Sequence, residues 1–135
     1  MVDKSDRTLT LYNHGRVLKT YSVTFGRQPV GRKEREGDDR TPEGRYVIDR
    51  RNLHSRYHCA LHVSYPNADD VRRARAAGVS PGGDIMIHGL RDGFRWLGRL
   101  HRIVDWTHGC IAVTDEEIDE IARAVPDGTP VTIQP

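Results

Sequence analysis

Polar and apolar side chains alternate along Thr8-Leu9-Thr10-Leu11-Tyr12, the period of two expected of a strand with one face against a core. Asn13-His14-Gly15-Arg16 then carries turn chemistry. Val17-Leu18-Lys19-Thr20-Tyr21-Ser22-Val23-Thr24-Phe25 is rich in β-formers, so the opening predicts a β-hairpin. Residues 26–44 are rich in Gly, Pro and charge and predict a long connection, a length that in compact domains tends to carry function. Arg45-Tyr46-Val47-Ile48-Asp49, Ala60-Leu61-His62-Val63-Ser64-Tyr65 and Asp84-Ile85-Met86-Ile87-His88 read as further strands, the last stopping at Gly89.

Two segments switch to helical spacing. Asn67 is an N-cap for a helix through Val71 to Ala77, with acids in its first turn and Gly78 to end it. Thr114-Asp115-Glu116-Glu117 is a capping box, and Ile118, Ile121, Ala122 and Val125 follow at helical intervals. Pro126-Asp127-Gly128-Thr129 is a turn, and Pro130-Val131-Thr132-Ile133 closes as a strand. The expectation is a single domain, residues 1–135, mainly β with two short α-helices.

Composition narrows the function class. Lys and Arg number 21 against 19 Asp and Glu, a net charge of +2 that is too even for a nucleic-acid face. Bases and acids interleave through Arg32-Lys33-Glu34-Arg35-Glu36-Gly37-Asp38-Asp39-Arg40, which reads as a solvated loop. Two cysteines, Cys59 and Cys110, permit one disulfide but make no disulfide scaffold. No apolar run approaches a membrane span, and Met1-Val2-Asp3-Lys4-Ser5-Asp6 lacks the apolar centre of a signal peptide. Either the protein is cytosolic or its export signal lies outside this stretch.

The candidate chemistry centres on Cys110, in Thr107-His108-Gly109-Cys110. A thiol is a good nucleophile only as thiolate, so it needs a group that takes its proton. His88, at the end of an apolar strand and followed by Gly89, is the candidate base. Gly109 lets the backbone turn tightly, so that neighbouring N–H groups can face a substrate carbonyl as an oxyanion hole. His108 shares a face with Cys110 if the segment is extended. Cys59 reads as a small buried hydrophobe. His14, His54, His58, His62 and His101 read as structural or surface residues.

Here the chain resembles the L,D-transpeptidase (YkuD-type) catalytic domain. Thr107-His108-Gly109-Cys110-Ile111 is similar to the family's Ser/Thr-His-Gly-Cys signature, and Ile87-His88-Gly89 to its upstream Ile-His-Gly. Gly26 with Thr41-Pro42-Glu43-Gly44-Arg45-Tyr46, and the closing Val125-Pro126-Asp127-Gly128-Thr129-Pro130-Val131, resemble further family segments. The resemblance implies a β-sandwich or barrel-like fold acting on peptidoglycan stem peptides. Cys110 would take the acyl group of the diamino-acid–D-Ala bond as a thioester and pass it to an amine. Water as acceptor would give a carboxypeptidase or amidase, including one that releases a wall-anchored lipoprotein. His88 would be the base; Gly109, His108, Thr107 and Gly89 would shape the site. The resemblance further implies no metal or organic cofactor, carbapenems as covalent inhibitors, a monomer, and a place in the cell envelope or periplasm.

The chain departs from the family pattern in two places. The stretch from His88 to Thr107 is slightly longer, and its insert, residues 91–100, is expected to line the groove or cover it. Ala112 stands where many members carry Arg or Asn, so Arg91, Arg95 or Arg102 would have to supply a polar contact to substrate carboxylates. Two other readings compete. His88, His108 and Cys110 could bind zinc with Asp84 or Asp105, although there is no tight ligand pair. A wall-binding module without turnover is the other.

Overall fold

In a computed structural model, residues 1–91, 93–94, 98 and 107–135 are described. Eight strands form one sheet in the order β3-β2-β1-β8-β4-β5-β6-β7. They are β1 (Val2–Asp3), β2 (Thr8–Asn13), β3 (Arg16–Ser22), β4 (Gly44–Ser55), β5 (His58–Val63), β6 (Met86–His88), β7 (Ile111–Ala112) and β8 (Pro130–Gln134). The helices are α1 (Ala68–Ala76) and α2 (Asp115–Ala124). Neighbours are antiparallel except β1 with β8 and β6 with β7, which run parallel. The two ends of this order meet. The chain just past β3 bridges β7 through Thr24 and Ala112, and Gly26 bridges Thr107. The sheet is therefore curled into a barrel-like shape, mainly β with two helices.

Period-two burial fills the interior. Tyr21, Val23 and Phe25 point inward in succession, as do Tyr46 with Ile48, Ile85 with Ile87, and Ile111 with Val113. Each such side chain withdrawn from water is worth about 1.5–3 kcal/mol. Since Ile87 and Ile111 face the core, their neighbours Met86, His88, Cys110 and Ala112 belong to the other face of β6–β7. That alternation delivers the candidate site.

The helices attach differently. α2 presents Ile118 and Ile121, both fully buried, and its expected capping box forms between Thr114 and Glu117. α1 is held by polar contacts. Asn67 caps it as expected, and the buried Asp70 completes a second capping box while accepting from the Tyr46 hydroxyl at 2.7 Å.

Two expectations are revised, and two strands appear that the pattern did not announce. The strand over residues 84–88 starts only at Met86, because Asp84 takes a left-handed φ of 56°. β1 and β7 have two residues each, too few to leave a periodic signature. Residues 32–40 are not simply a solvated loop. Lys33 and Asp38 form an ion pair at 3.0 Å with side chains only 4% and 10% exposed. Asp38 also accepts from the amides of Glu34, Arg35 and Arg40, which folds the segment around its carboxylate. Lys4, equally buried, ties the same connection down through the carbonyls of Gly31 and Thr41 and the carboxylate of Glu43.

Candidate active site

Cys110 follows a tight turn that only its own sequence permits. Gly109 has a φ of +122°, and a Cβ there would stand 2.6 Å from the Arg40 carbonyl oxygen. Gly26 closes the same junction, since its Cβ would stand 2.1 Å from the Asp39 carbonyl oxygen and 2.9 Å from the Gly109 Cα. Either side chain would push the loop away from the cysteine. The Thr107 hydroxyl clamps the turn, donating to the Cys110 carbonyl at 2.7 Å and accepting from the Gly109 N–H at 3.2 Å. Thr41, fully buried, spans the junction: its hydroxyl accepts from the Gly26 N–H at 3.2 Å and donates to the Gly109 carbonyl at 2.9 Å.

The Cys110 sulfur is partly exposed and lies 3.3 Å from the Asp84 carbonyl oxygen, to which the thiol donates. Burial pushes the thiol above its ordinary value, opposed by the Met86 amide directed at the sulfur. The Asp84 charge raises it further and the Lys33 charge draws it down. The net is a protonated resting thiol, which is a poor nucleophile without a base.

His88 leaves β6 one strand away. In the parallel register it pairs with Ala112, so its side chain and that of Cys110 stand diagonally on one face. The ring is 3% exposed and packs against Tyr57 with centroids 4.3 Å apart. Its Nδ1 lies 2.6 Å from the Gly89 carbonyl oxygen. A carbonyl only accepts, so Nδ1 carries the hydrogen and the lone pair sits on Nε2. Gly89 is required for packing: a Cβ would meet the Asp115 carboxylate at 2.6 Å and the Tyr57 carbonyl at 2.9 Å. Asp115 accepts from the Leu90 N–H at 2.9 Å, and the Gly89 N–H donates to the Tyr57 carbonyl at 3.0 Å. The backbone that orients the histidine is thus fixed from two sides.

The other candidate residues separate. His108 is 76% exposed and bonded through Nδ1 to Asp39 at 2.8 Å. The bend at residues 108–109 removes the extended geometry that would have aligned it with Cys110. Gly109 shapes the turn, but its N–H is taken by the Thr107 hydroxyl, so of these two turn amides the Cys110 N–H is the one left to face a substrate. Arg91 is exposed three residues past His88, while Arg95 and Arg102, with most of the 91–100 insert, fall outside the described residues. Cys59 is buried and both cysteines are free thiols. His58 bonds Asp119, and His62 bonds Asp49. Among the described residues no three His, Cys, Asp or Glu side chains converge on one point, and the zinc reading's Asp105 is not among them. Sequence alone gives Thr41, Lys33, Asp38, Tyr57 and Asp115 no part in the site: Asp115 reads as a helix-start residue, and Lys33 and Asp38 as solvated loop. Only Thr41 had a local signal, the Thr-Pro-x-Gly segment that contains it.

An apolar cleft of about 300 Å³ lies elsewhere, lined by residues such as Leu9, Leu18, Ile87 and Val131. Neither Cys110 nor His88 lines it.

Three comparisons bear on this arrangement. A family model described as the L,D-transpeptidase catalytic domain, YkuD, matches residues 1–133. YafK of Escherichia coli (strain K12) is 34% identical over 128 residues, spanning 90% of this chain and 44% of that protein. The crystal structure of the helical cell shape determining protein Pgp2 from Campylobacter jejuni superposes with a TM-score of 0.74 and 30% identity, over 98% of this chain and 45% of Pgp2. The L,D-transpeptidase LdtMt1, solved in complex with imipenem, shares the fold at a TM-score of 0.61 and 18% identity, over 98% of this chain and 56% of that one. The chain thus spans less than half the length of YafK and of Pgp2. With the family model matched over nearly its whole length, the chain belongs to the L,D-transpeptidase catalytic-domain (YkuD) family.

Proposed function

We propose that this domain performs cysteine-dependent acyl transfer on peptidoglycan stem peptides, with Cys110 as nucleophile and His88 as base. The observation that carries the reading is the placement of Cys110 directly before β7, its sulfur 3.3 Å from the Asp84 carbonyl oxygen, with His88 at the end of the adjacent parallel strand β6 and the histidine lone pair on Nε2. His88 Nε2 takes the thiol proton as the sulfur attacks the carbonyl carbon of the diamino-acid–D-Ala amide. The Cys110 N–H donates to the oxyanion that forms. Collapse breaks the C–N bond, and the imidazolium returns its proton to the D-Ala amine, which leaves. The thioester is then attacked by an acceptor amine whose proton passes to His88, restoring the thiol. No step calls for a metal or organic cofactor.

On this reading the enzyme works in the cell envelope as a monomer, and carbapenems acylate Cys110. Incubation with purified muropeptides and chromatography of the products tests the reaction. Cross-linked dimers are expected; tripeptides alone would replace the amine acceptor with water, and release of a stem-linked lipoprotein lysine would identify an amidase. Unchanged substrate would remove the proposal.

A further inference from the structure

We propose that Thr41 is a positioning residue for the oxyanion-binding amide of Cys110, an inference that rests on the acyl-transfer reading above. The carbonyl of Gly109 and the N–H of Cys110 belong to one planar peptide unit and point in opposite directions. Whatever fixes the carbonyl therefore aims the N–H. The Thr41 hydroxyl donates to that carbonyl at 2.9 Å, in a fully buried position 68 residues away in sequence. It is itself held in place. The Gly26 N–H donates to the hydroxyl at 3.2 Å, and the Lys4 ammonium donates to the Thr41 carbonyl at 2.9 Å.

The opposite pull on the peptide would come from the turn's own flexibility. Gly109, at a φ of +122°, has no side chain to restrict rotation, so the same freedom that allows the turn would let this peptide unit tilt. The contacts on the far side do not prevent it. Thr107 holds the Gly109 N–H and the Cys110 carbonyl, which belong to the peptide units before and after the one in question. Among the described residues, only the Thr41 hydroxyl bonds to the central unit. An oxyanion donor misaimed by a fraction of an ångström loses much of its effect, because the gain depends on preorganisation.

The test compares two reactions of the same sulfur. Acylation by meropenem builds an oxyanion, whereas alkylation by iodoacetamide at a saturated carbon does not. Both are followed by intact-protein mass, with peptide mapping to separate Cys110 from the buried Cys59. In Thr41→Val, which removes the hydroxyl at nearly constant volume, acylation is expected to fall about tenfold or more while alkylation stays within about twofold. Thr41→Ser keeps the donor and is expected to hold the acylation-to-alkylation ratio within about threefold of the parent. Equal losses in both reactions, or an unchanged ratio in Thr41→Val, would reduce Thr41 to a packing residue. If Thr41→Val does not melt cooperatively, Thr41→Ser decides, since a collapse of its ratio with the hydroxyl intact overturns the inference. Failure of the parent chain to acylate at all would sink the acyl-transfer reading and this inference together, so the two failures are distinguishable.

Discussion

At the scale of single residues the site works through what each side chain forbids as much as what it supplies. The Cys110 thiol rests protonated, raised above its ordinary 9.0 by burial. Its thiolate fraction therefore grows with pH, and iodoacetamide labelling of Cys110 should still be climbing steeply through pH 9, without a plateau near neutrality. A plateau below pH 7 would indicate a preformed thiolate–imidazolium pair instead. Gly109→Ala should abolish acylation, since its methyl would stand 2.6 Å from the Arg40 carbonyl oxygen and its backbone at φ +122° is strained for any L-residue. Full acylation of that variant, measured by intact mass, would show that the junction yields more easily than its geometry implies.

Elements position these residues, and their stability is separable from the chemistry. α2 places Asp115 under the Leu90 amide and is anchored by Ile118 and Ile121. Ile118→Ala should cost about 2–5 kcal/mol in denaturant unfolding, and Thr114→Ala about 1 kcal/mol through the lost cap. The segment of residues 32–40 depends on Asp38. Burial alone would raise its carboxyl, but the amides of Glu34, Arg35 and Arg40 with the Lys33 ammonium bring it below the ordinary 3.8. A depressed folded-state value contributes stability above pH 3.8 that is lost as pH falls through the folded value. Asp38→Asn should therefore cost about 3 kcal/mol at neutral pH, by leaving Lys33 buried without its counter-charge, and the difference should shrink below pH 3.8. A difference that is constant with pH would mean the segment is held by its backbone bonds alone.

For the whole molecule, what was legible in the sequence was what is local. The opening hairpin, both helix caps and the last strand each announce themselves within a dozen residues, and so do the Thr107-His108-Gly109-Cys110 turn and the His88-Gly89 strand end. The barrel-like closure was implied by the family resemblance but not by the local pattern, because Thr24 meets Ala112 across most of the chain and β7, with two residues, is too short to show a period. The same reason hid the supports of the site. Thr41, Asp115 and the Lys33–Asp38 pair look like ordinary polar loop or helix-start residues until the fold buries them against Gly109, Leu90 and one another. Conversely, His108 read as part of the site because it neighbours Cys110 in sequence, and a bend turned it out to solvent against Asp39.

All of these scales converge on one sulfur. The most direct test is incubation of the purified chain with a carbapenem such as imipenem, followed by intact mass and peptide mapping. A single stoichiometric adduct on Cys110, absent from Cys110→Ala and strongly slowed in His88→Ala, is the expected result. No adduct on the parent chain, or one that persists in Cys110→Ala, would contradict the assignment of Cys110 as the nucleophile.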